Sequence, residues 1–281
     1  MIAPGAGAKT WSVYPNHSGP TPTIQSAIDS CAVSGDNIIV YAGIHYEGNI
    51  VSDGKSITID QSGQAYIHSP TPGSGTGITI RNASSFTISS LAFRNFGTAV
   101  AVESANPLIQ WITIRACGSG LTVSGISSCP VMWYALVDSC GTGIDVIEGG
   151  AITLRNQTIA NCATGVRFAS ATTTFTRNIV YHCGVGIQCA GGIVNQSCSN
   201  FFLNAADYGG CSAGTNDFFT DPMFCFWKAP APGPYWLHNT SPCLTGTNPC
   251  GQKVGAFTAA AGCTGTGAEH TTWGAIKGIY R

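Results

Sequence analysis

Four cysteines, Cys117, Cys140, Cys162 and Cys183, recur at intervals of 23, 22 and 21 residues. Thiols held in register at such a spacing would suit a metal or a redox ladder. One repeat earlier, however, the equivalent position is Phe96, and the residues around the column are apolar. A row of buried free thiols is therefore the expected role, ahead of inter-coil disulfides or a metal. Cys31 reads the same way, as a buried core thiol. The late cysteines differ. Cys198 and Cys211 bracket a loop of twelve residues, and Cys225, Cys243, Cys250 and Cys263 cluster where the repeat fails. Four cysteines allow three pairings, so disulfides are expected there with the connectivity open. Each would contribute about 2–4 kcal/mol where the core is thinnest.

The carboxylates are the other candidates for chemistry. Asp145 and Arg167 face the same way on neighbouring repeats, flanked by Thr122 and Gln188, while Arg94, Arg115 and Asp138 form a second outward column. A single carboxylate is too few for calcium, which takes about six to eight oxygen ligands. A repeat-to-repeat ion pair worth about 0–1 kcal/mol is expected in each place. Asp53 with Asp60, and His45 with Glu47 and His68, are groups that no spacing forces together. Asn216-Asp217 and Asp221-Pro222 read as turns. No catalytic, cofactor-binding or metal-binding residue is assigned, and no cofactor is expected.

The element that must position all of these is a repeat of about 22 residues. Phe96-Gly97, Cys117-Gly118, Cys140-Gly141, Cys162-Ala163 and Cys183-Gly184 are anchors. Four residues after each comes Val100, Leu121, Ile144, Val166 or Ile187, and two further on Val102, Val123, Val146, Phe168 or Cys189. The side chains between are mostly polar, which is the alternation of a strand with one buried face. A second apolar column, Phe93, Ile114, Val137, Ile159 and Val180, precedes the anchors. Each repeat thus carries at least two short strands around a tight turn. One repeat is too short to bury its own apolar face, but stacking at the roughly 4.8 Å strand spacing makes a continuous core. The expected fold is all-β: a right-handed parallel β-helix, a solenoid, with a short N-terminal capping helix and a disulfide-braced C-terminal end.

Residues 1–20 are small, Gly/Pro-rich and expected to be extended. Thr21-Pro22 reads as a helix start, Ile24, Ala27, Ile28 and Cys31 share one helical face, and Gly35 can end it, so a capping helix is expected within 21–35. The run Thr23-Ile-Gln-Ser-Ala-Ile-Asp, followed by Ile38-Ile-Val-Tyr-Ala-Gly-Ile-His-Tyr-Glu-Gly-Asn-Ile, resembles the opening segment of the pectin-lyase-like right-handed parallel β-helix proteins of prokaryotes. The segments around Asn200, Asp221-Pro222, Ser241-Pro-Cys243 and Val254-Gly-Ala-Phe257 resemble the terminal coil of secreted bacterial members, whose Asp-Pro and Ser-Pro-Cys turns close the last strand pair. The resemblance spans roughly residues 10–260. It implies the fold and leaves the activity open, because the group includes lyases, hydrolases, adhesins and structural proteins. Lyases of this kind need a Lys or Arg base beside calcium-holding carboxylates, and galacturonases carry Asn-Thr-Asp, Asp-Asp and Arg-Ile-Lys motifs; neither pattern is present here.

Charged residues make up 9% of the 281-residue chain, against roughly 25% in an average soluble domain, while 44% are hydrophobic and 36 are glycine. This composition excludes an intrinsically disordered chain. A net charge of −1 gives no electrostatic case for nucleic acid or an anionic membrane as partner. No apolar run approaches the roughly 20 residues of a membrane span. The opening Met1-Ile-Ala-Pro-Gly-Ala-Gly-Ala has neither the basic region nor the apolar core of a signal peptide. Thirteen cysteines among so few charges argue for an exported protein, extracellular or at the cell surface. Asn16, Asn82, Asn156, Asn195 and Asn239 sit in Asn-x-Ser/Thr sequons and suit tight turns.

The β-helix domain is expected over 21–257, with an irregular terminal coil at 196–257, then a flexible linker at 258–272 and a tail at 273–281. The tail, with Trp273, Ile276, Lys277, Ile279, Tyr280 and Arg281, is expected to dock onto another copy or an export apparatus, or to fold back on its own coil. The favoured function is a non-catalytic extracellular scaffold or adhesin, expected to form a homo-oligomer or filament through this tail and to present faces for glycan contact. The alternative is a carbohydrate-active enzyme, a polysaccharide lyase or glycoside hydrolase.

Overall fold

The computed structural model describes residues 7–169, 172–191, 193–225, 235–260 and 263. The chain is a right-handed parallel β-helix of triangular section, each regular coil laying one strand on each of three faces. The first face stacks eight parallel strands, from Ile50–Asp53 to Ala206–Gly209. Val100, Leu121, Ile144, Val166 and Ile187 lie in register there, as do Val102, Val123, Val146, Phe168 and Cys189. The third face stacks Phe93, Ile114, Val137, Ile159, Val180 and Phe201. Between them runs a second face, not separately expected, with Ile88, Ile109, Met132, Leu154 and Phe175 inward. All four columns are buried apart from Cys189, which is half-buried. At about 1.5–3 kcal/mol for each large apolar side chain buried, this single core supplies most of the cohesion.

Two corners are turned by single residues in the left-handed backbone region. Ser90, Trp111, Tyr134, Asn156, Arg177 and Cys198 join the second face to the third, at φ between 53° and 65°. Asn95, Ala116, Ser139, Asn161, His182 and Leu203 join the third to the first. A stack of glycines, Gly120, Gly143, Gly165 and Gly186, follows the thiol column; at each, an added Cβ would meet a carbonyl oxygen of the next coil at 2.4–2.6 Å.

Thr10–Val13, inside the expected extended segment, is a strand paired in parallel with Asn37–Val40. The capping helix spans Ile24–Ser30 and buries Ile24, Ala27 and Ile28. Its N-cap is Thr23 rather than Thr21, because Ser26 completes a capping box with Thr23, while the Thr21 hydroxyl donates to the Ser12 carbonyl at 2.6 Å. The helix ends at Cys31, short of Gly35, because Ser34 already begins the strand Ser34–Tyr46.

The C-terminal arm covers the outer side of the third face. Phe218, Phe224, Tyr235, Leu237, Cys243 and Val254 form a second apolar cluster with Leu136, Ala160 and Ile179. Three disulfides brace this end: Cys189–Cys211, Cys198–Cys250 and Cys225–Cys263. Two expectations are corrected. Cys243 is a free buried thiol, inside the second cluster and accepting from Asn200 Nδ2 at 3.1 Å. Cys189, expected only in an apolar column, is bridged because Cys211 follows the strand of the next coil. The tail candidates Trp273, Ile276, Lys277, Ile279, Tyr280 and Arg281 lie outside the described residues.

Candidate functional site

The carboxylates expected on outward columns are held in structural contacts. Asp145 receives both Arg167 Nε at 2.7 Å and Nη2 at 2.5 Å, a two-pronged pair that raises the Arg167 pKa. Asp138 Oδ1 accepts from Tyr235 Oη at 2.7 Å, Asn161 Nδ2 at 2.9 Å and Ser139 Oγ at 3.1 Å, with Arg115 Nε 3.3 Å from its other oxygen. Asp53 takes Arg81 and Asn82, and these bonds hold its carboxyl below the usual range. Glu47 accepts from the Ile24 and Gln25 amides, closing the N-terminus of the helix. Asp217 accepts from the Ser199 and Gly214 amides and from Tyr208, and Asp221 from the Met223 amide, as turn residues should. The Glu47 amide donates to the His68 carbonyl at 3.2 Å, but among the described residues no side-chain hydrogen bond joins Asp53 to Asp60 or links His45, Glu47 and His68, and the last three do not converge on one point. His45 is buried with Nε2 2.9 Å from the Tyr41 carbonyl oxygen; His68 lies edge-on to Tyr46 and Tyr66 and has its pKa lowered by burial and the Arg94 charge.

Cys117, Cys140, Cys162 and Cys183 form the expected stack of free buried thiols just inside the third-to-first corner. Each Sγ contacts the carbonyl oxygen two residues before it, on Arg115, Asp138, Ala160 and Tyr181, at 3.3–3.6 Å. The neighbouring thiols, then burial, raise the pKa of Cys117 and Cys162.

A second assembly, absent from the expectations, lies outside the second-to-third corner. Trp111 and Tyr134, successive corner residues, stack with ring centroids 4.3 Å apart and planes 11° apart. Trp111 remains 52% exposed, and Trp133 stands beside it in register with Gln110 and Arg155. Lys253, brought by the C-terminal arm, places Nζ 4.7 Å from the Tyr134 ring centroid. Burial, then the Arg177 charge, push its pKa down to about 8. Below it, Arg155, Thr176, Arg177, Ser197, Gln252 and the Cys198–Cys250 bridge line an open concavity of about 340 Å³. Arg177 donates to Gln252 Oε1. No described carboxylate lies within ion-pair distance of Arg155, Arg177 or Lys253. The signal was in the sequence: Trp111, Tyr134, Asn156 and Arg177 keep the same 23, 22 and 21 spacing as the thiols.

No described helix is long and apolar enough to cross a membrane. Among solved structures, the chain is similar to the pectate lyase Pel9A, at 11% identity and a TM-score of 0.49, over 91% of this chain and 97% of that one. It is also similar to an alginate lyase from Paenibacillus sp. str. FPU-7, at 13% identity and a TM-score of 0.43, over 75% and 98%. No curated protein matches it in sequence. Residues 30–223, nearly the whole solenoid, match the family described as "Periplasmic copper-binding protein (NosD)", and the chain belongs to that family.

Proposed function

We propose that the chain is a non-catalytic extracytoplasmic scaffold that holds an anionic glycan on the strip from Trp111 to Arg177. The observation that carries this reading is the composition of the strip. Two stacked rings offer a flat apolar platform, three cations follow it, and the outward positions of the intervening strands contain no carboxylate. Trp111 sharpens the point, since its backbone sits at φ 58°. A bulky residue in that region costs about 1–2 kcal/mol, and other coils place Ser90 or Asn156 there. Sugar rings stack on exposed aromatic faces, and guanidinium forks match carboxylate or sulfate groups. The engagement of Asp138, Asp145 and Asp53 in structural contacts supports binding without turnover, because among the described residues neither a carboxylate pair nor a calcium cage is left on these faces.

Affinity electrophoresis through gels containing polyuronate, sulfated or neutral polysaccharide tests the reading. Retardation by the anionic gels alone, lost in Arg155→Ala/Arg177→Ala, is expected. Equal mobility of wild type and variant would overturn it. Assembly or surface retention through residues 273–281 belongs to the same reading, and would be removed from it if deletion of residues 264–281 changed neither.

The family description raises copper. Among the described residues no three His, Cys, Asp or Glu side chains are placed to hold one ion. That does not fit a cupric site of nitrogen and oxygen donors. The stacked thiols are different: they offer soft donors in pairs, which suit a monovalent copper ion.

A further inference from the structure

We propose that the acidic chain held on the strip crosses the third face to a second anion site, built from Tyr46, Tyr66 and Arg94, so that one polymer occupies both. The inference rests on the proposed glycan strip and extends it to a surface the strip does not include.

The crossing follows from the register of the third face. Its first outward column runs Tyr66, Ala92, Thr113, Leu136 from coil to coil. Leu136 is buried in the cluster beneath the C-terminal arm, and Tyr66 is a large ring, so the two small side chains between them floor a shallow trough. The trough starts at Trp111, two residues before Thr113, and ends at Arg115, two residues after it. At about 3.3 Å per residue the crossing is about 13 Å long. The arm is fastened on this face at Leu136, Ala160 and Ile179 and at Asp138, and the trough lies on the N-terminal side of them.

The second outward column carries the charge. It runs Tyr46, His68, Arg94, Arg115, Asp138. Arg94 and Arg115 therefore stand in register on adjacent coils, about 4.8 Å apart along the stack, and like charges so placed destabilise a sheet. One carboxylate serves the pair. Asp138 lies 3.3 Å from Arg115 Nε, and its other oxygen is taken by Tyr235, Asn161 and Ser139. No described carboxylate lies within ion-pair distance of Arg94. Its Nε is buried without a hydrogen-bond partner, and its guanidinium carbon lies 5.4 Å from the Tyr66 ring centroid. A guanidinium packed on a ring keeps its charge and its terminal N–H fork for an oxyanion. Tyr46, two coils toward the N-terminus, is 62% exposed, which leaves ring surface open to a sugar. An acidic polymer answers both features, because its carboxylate or sulfate groups neutralise the stacked cations while its rings cover tyrosine. Two sites engaged by one ligand also reinforce each other, since the second contact forms at a high effective concentration.

The test titrates the full chain by calorimetry, at low salt and without calcium, with a uronate disaccharide and with a fragment of the same polyuronate long enough to span the crossing. Wild type should bind two disaccharides but one long fragment, the latter at least about 100-fold more tightly. Arg94→Ala, or Tyr46→Ala should the first not fold, is expected to bind one disaccharide and to lose the gain with length. Disaccharide binding that Arg94→Ala leaves unchanged but Arg155→Ala/Arg177→Ala lowers would overturn the inference and leave the strip standing, and so would the absence of any gain with length. A single disaccharide lost in Arg94→Ala yet kept in Arg155→Ala/Arg177→Ala would remove the strip and the crossing together. Failure of wild type to bind either ligand would end both.

Discussion

Replacing Trp111 by Asn isolates the platform of the strip. A tryptophan side chain presents roughly 150–250 Å², so at 52% exposure about 100 Å² of Trp111 is still open to a ligand. Covered completely, that area would be worth about 2.5 kcal/mol at 25 cal/mol/Å². A sugar covers one face and the edge, so a loss of about 1.5 kcal/mol is expected, or about tenfold in Kd. Asn is chosen because it tolerates the φ of 58° that the corner demands. Losing the stack on Tyr134 costs about 0.5–1.5 kcal/mol and relieving the backbone returns about 1–2, so the melting temperature should barely move. Titration calorimetry with an anionic oligosaccharide at low salt reads the affinity, and thermal melting reads the fold. A change in Kd below about twofold with an unchanged melt would show that Trp111 is not part of the binding surface.

Lys253, with its pKa near 8, should lend charge to the strip only at lower pH, so affinity for the same ligand should fall between about pH 7 and pH 9, and Lys253→Ala should flatten that slope. The sign for stability is opposite: between about 8 and 10.5 the unfolded chain holds more of this proton than the folded one, so this group's contribution rises with pH across that window, as chemical denaturation at several pH values would record. Gly143→Ala should destabilise by about 2 kcal/mol, because its Cβ would lie 2.4 Å from the Gly165 carbonyl oxygen; Ala99 in the same column shows that the ladder can open locally, and a loss beyond about 4 would mean that it cannot here. Tyr235→Phe removes one hydrogen bond to the buried Asp138 and should cost about 1.5 kcal/mol, seen as faster proteolysis of the C-terminal arm with the coils intact; an unchanged cleavage rate would place the fastening elsewhere.

The solenoid was legible because its inward positions repeat with one chemistry: Val100 through Ile187 and Phe93 through Val180 fall in two apolar columns that the registers reproduce. The second face escaped separate notice although Ile109, Met132, Leu154 and Phe175 recur at 23, 22 and 21, since a three-residue strand shows only one inward side chain. The strip of rings and cations from Trp111 to Arg177 was missed for a different reason. Its corner residues keep the period but not the chemistry, passing from Trp111 to Tyr134, Asn156 and Arg177, and Lys253 arrives from an arm outside the repeat. The disulfide pairings were beyond spacing alone, because Cys198 meets Cys250 only once the arm has folded back along the outside of the coils.

The central claim, that these faces grip an acidic sugar chain without cutting it, is tested by one incubation of the full chain with a panel of polyuronates and neutral polysaccharides, with and without calcium. Bound fraction and product formation are measured in the same tubes. Salt-sensitive retention on the acidic polymers, with no unsaturated products and no new reducing ends, is the result expected. Turnover of any member of the panel, or retention that ignores salt and survives Arg155→Ala/Arg177→Ala, would contradict the account.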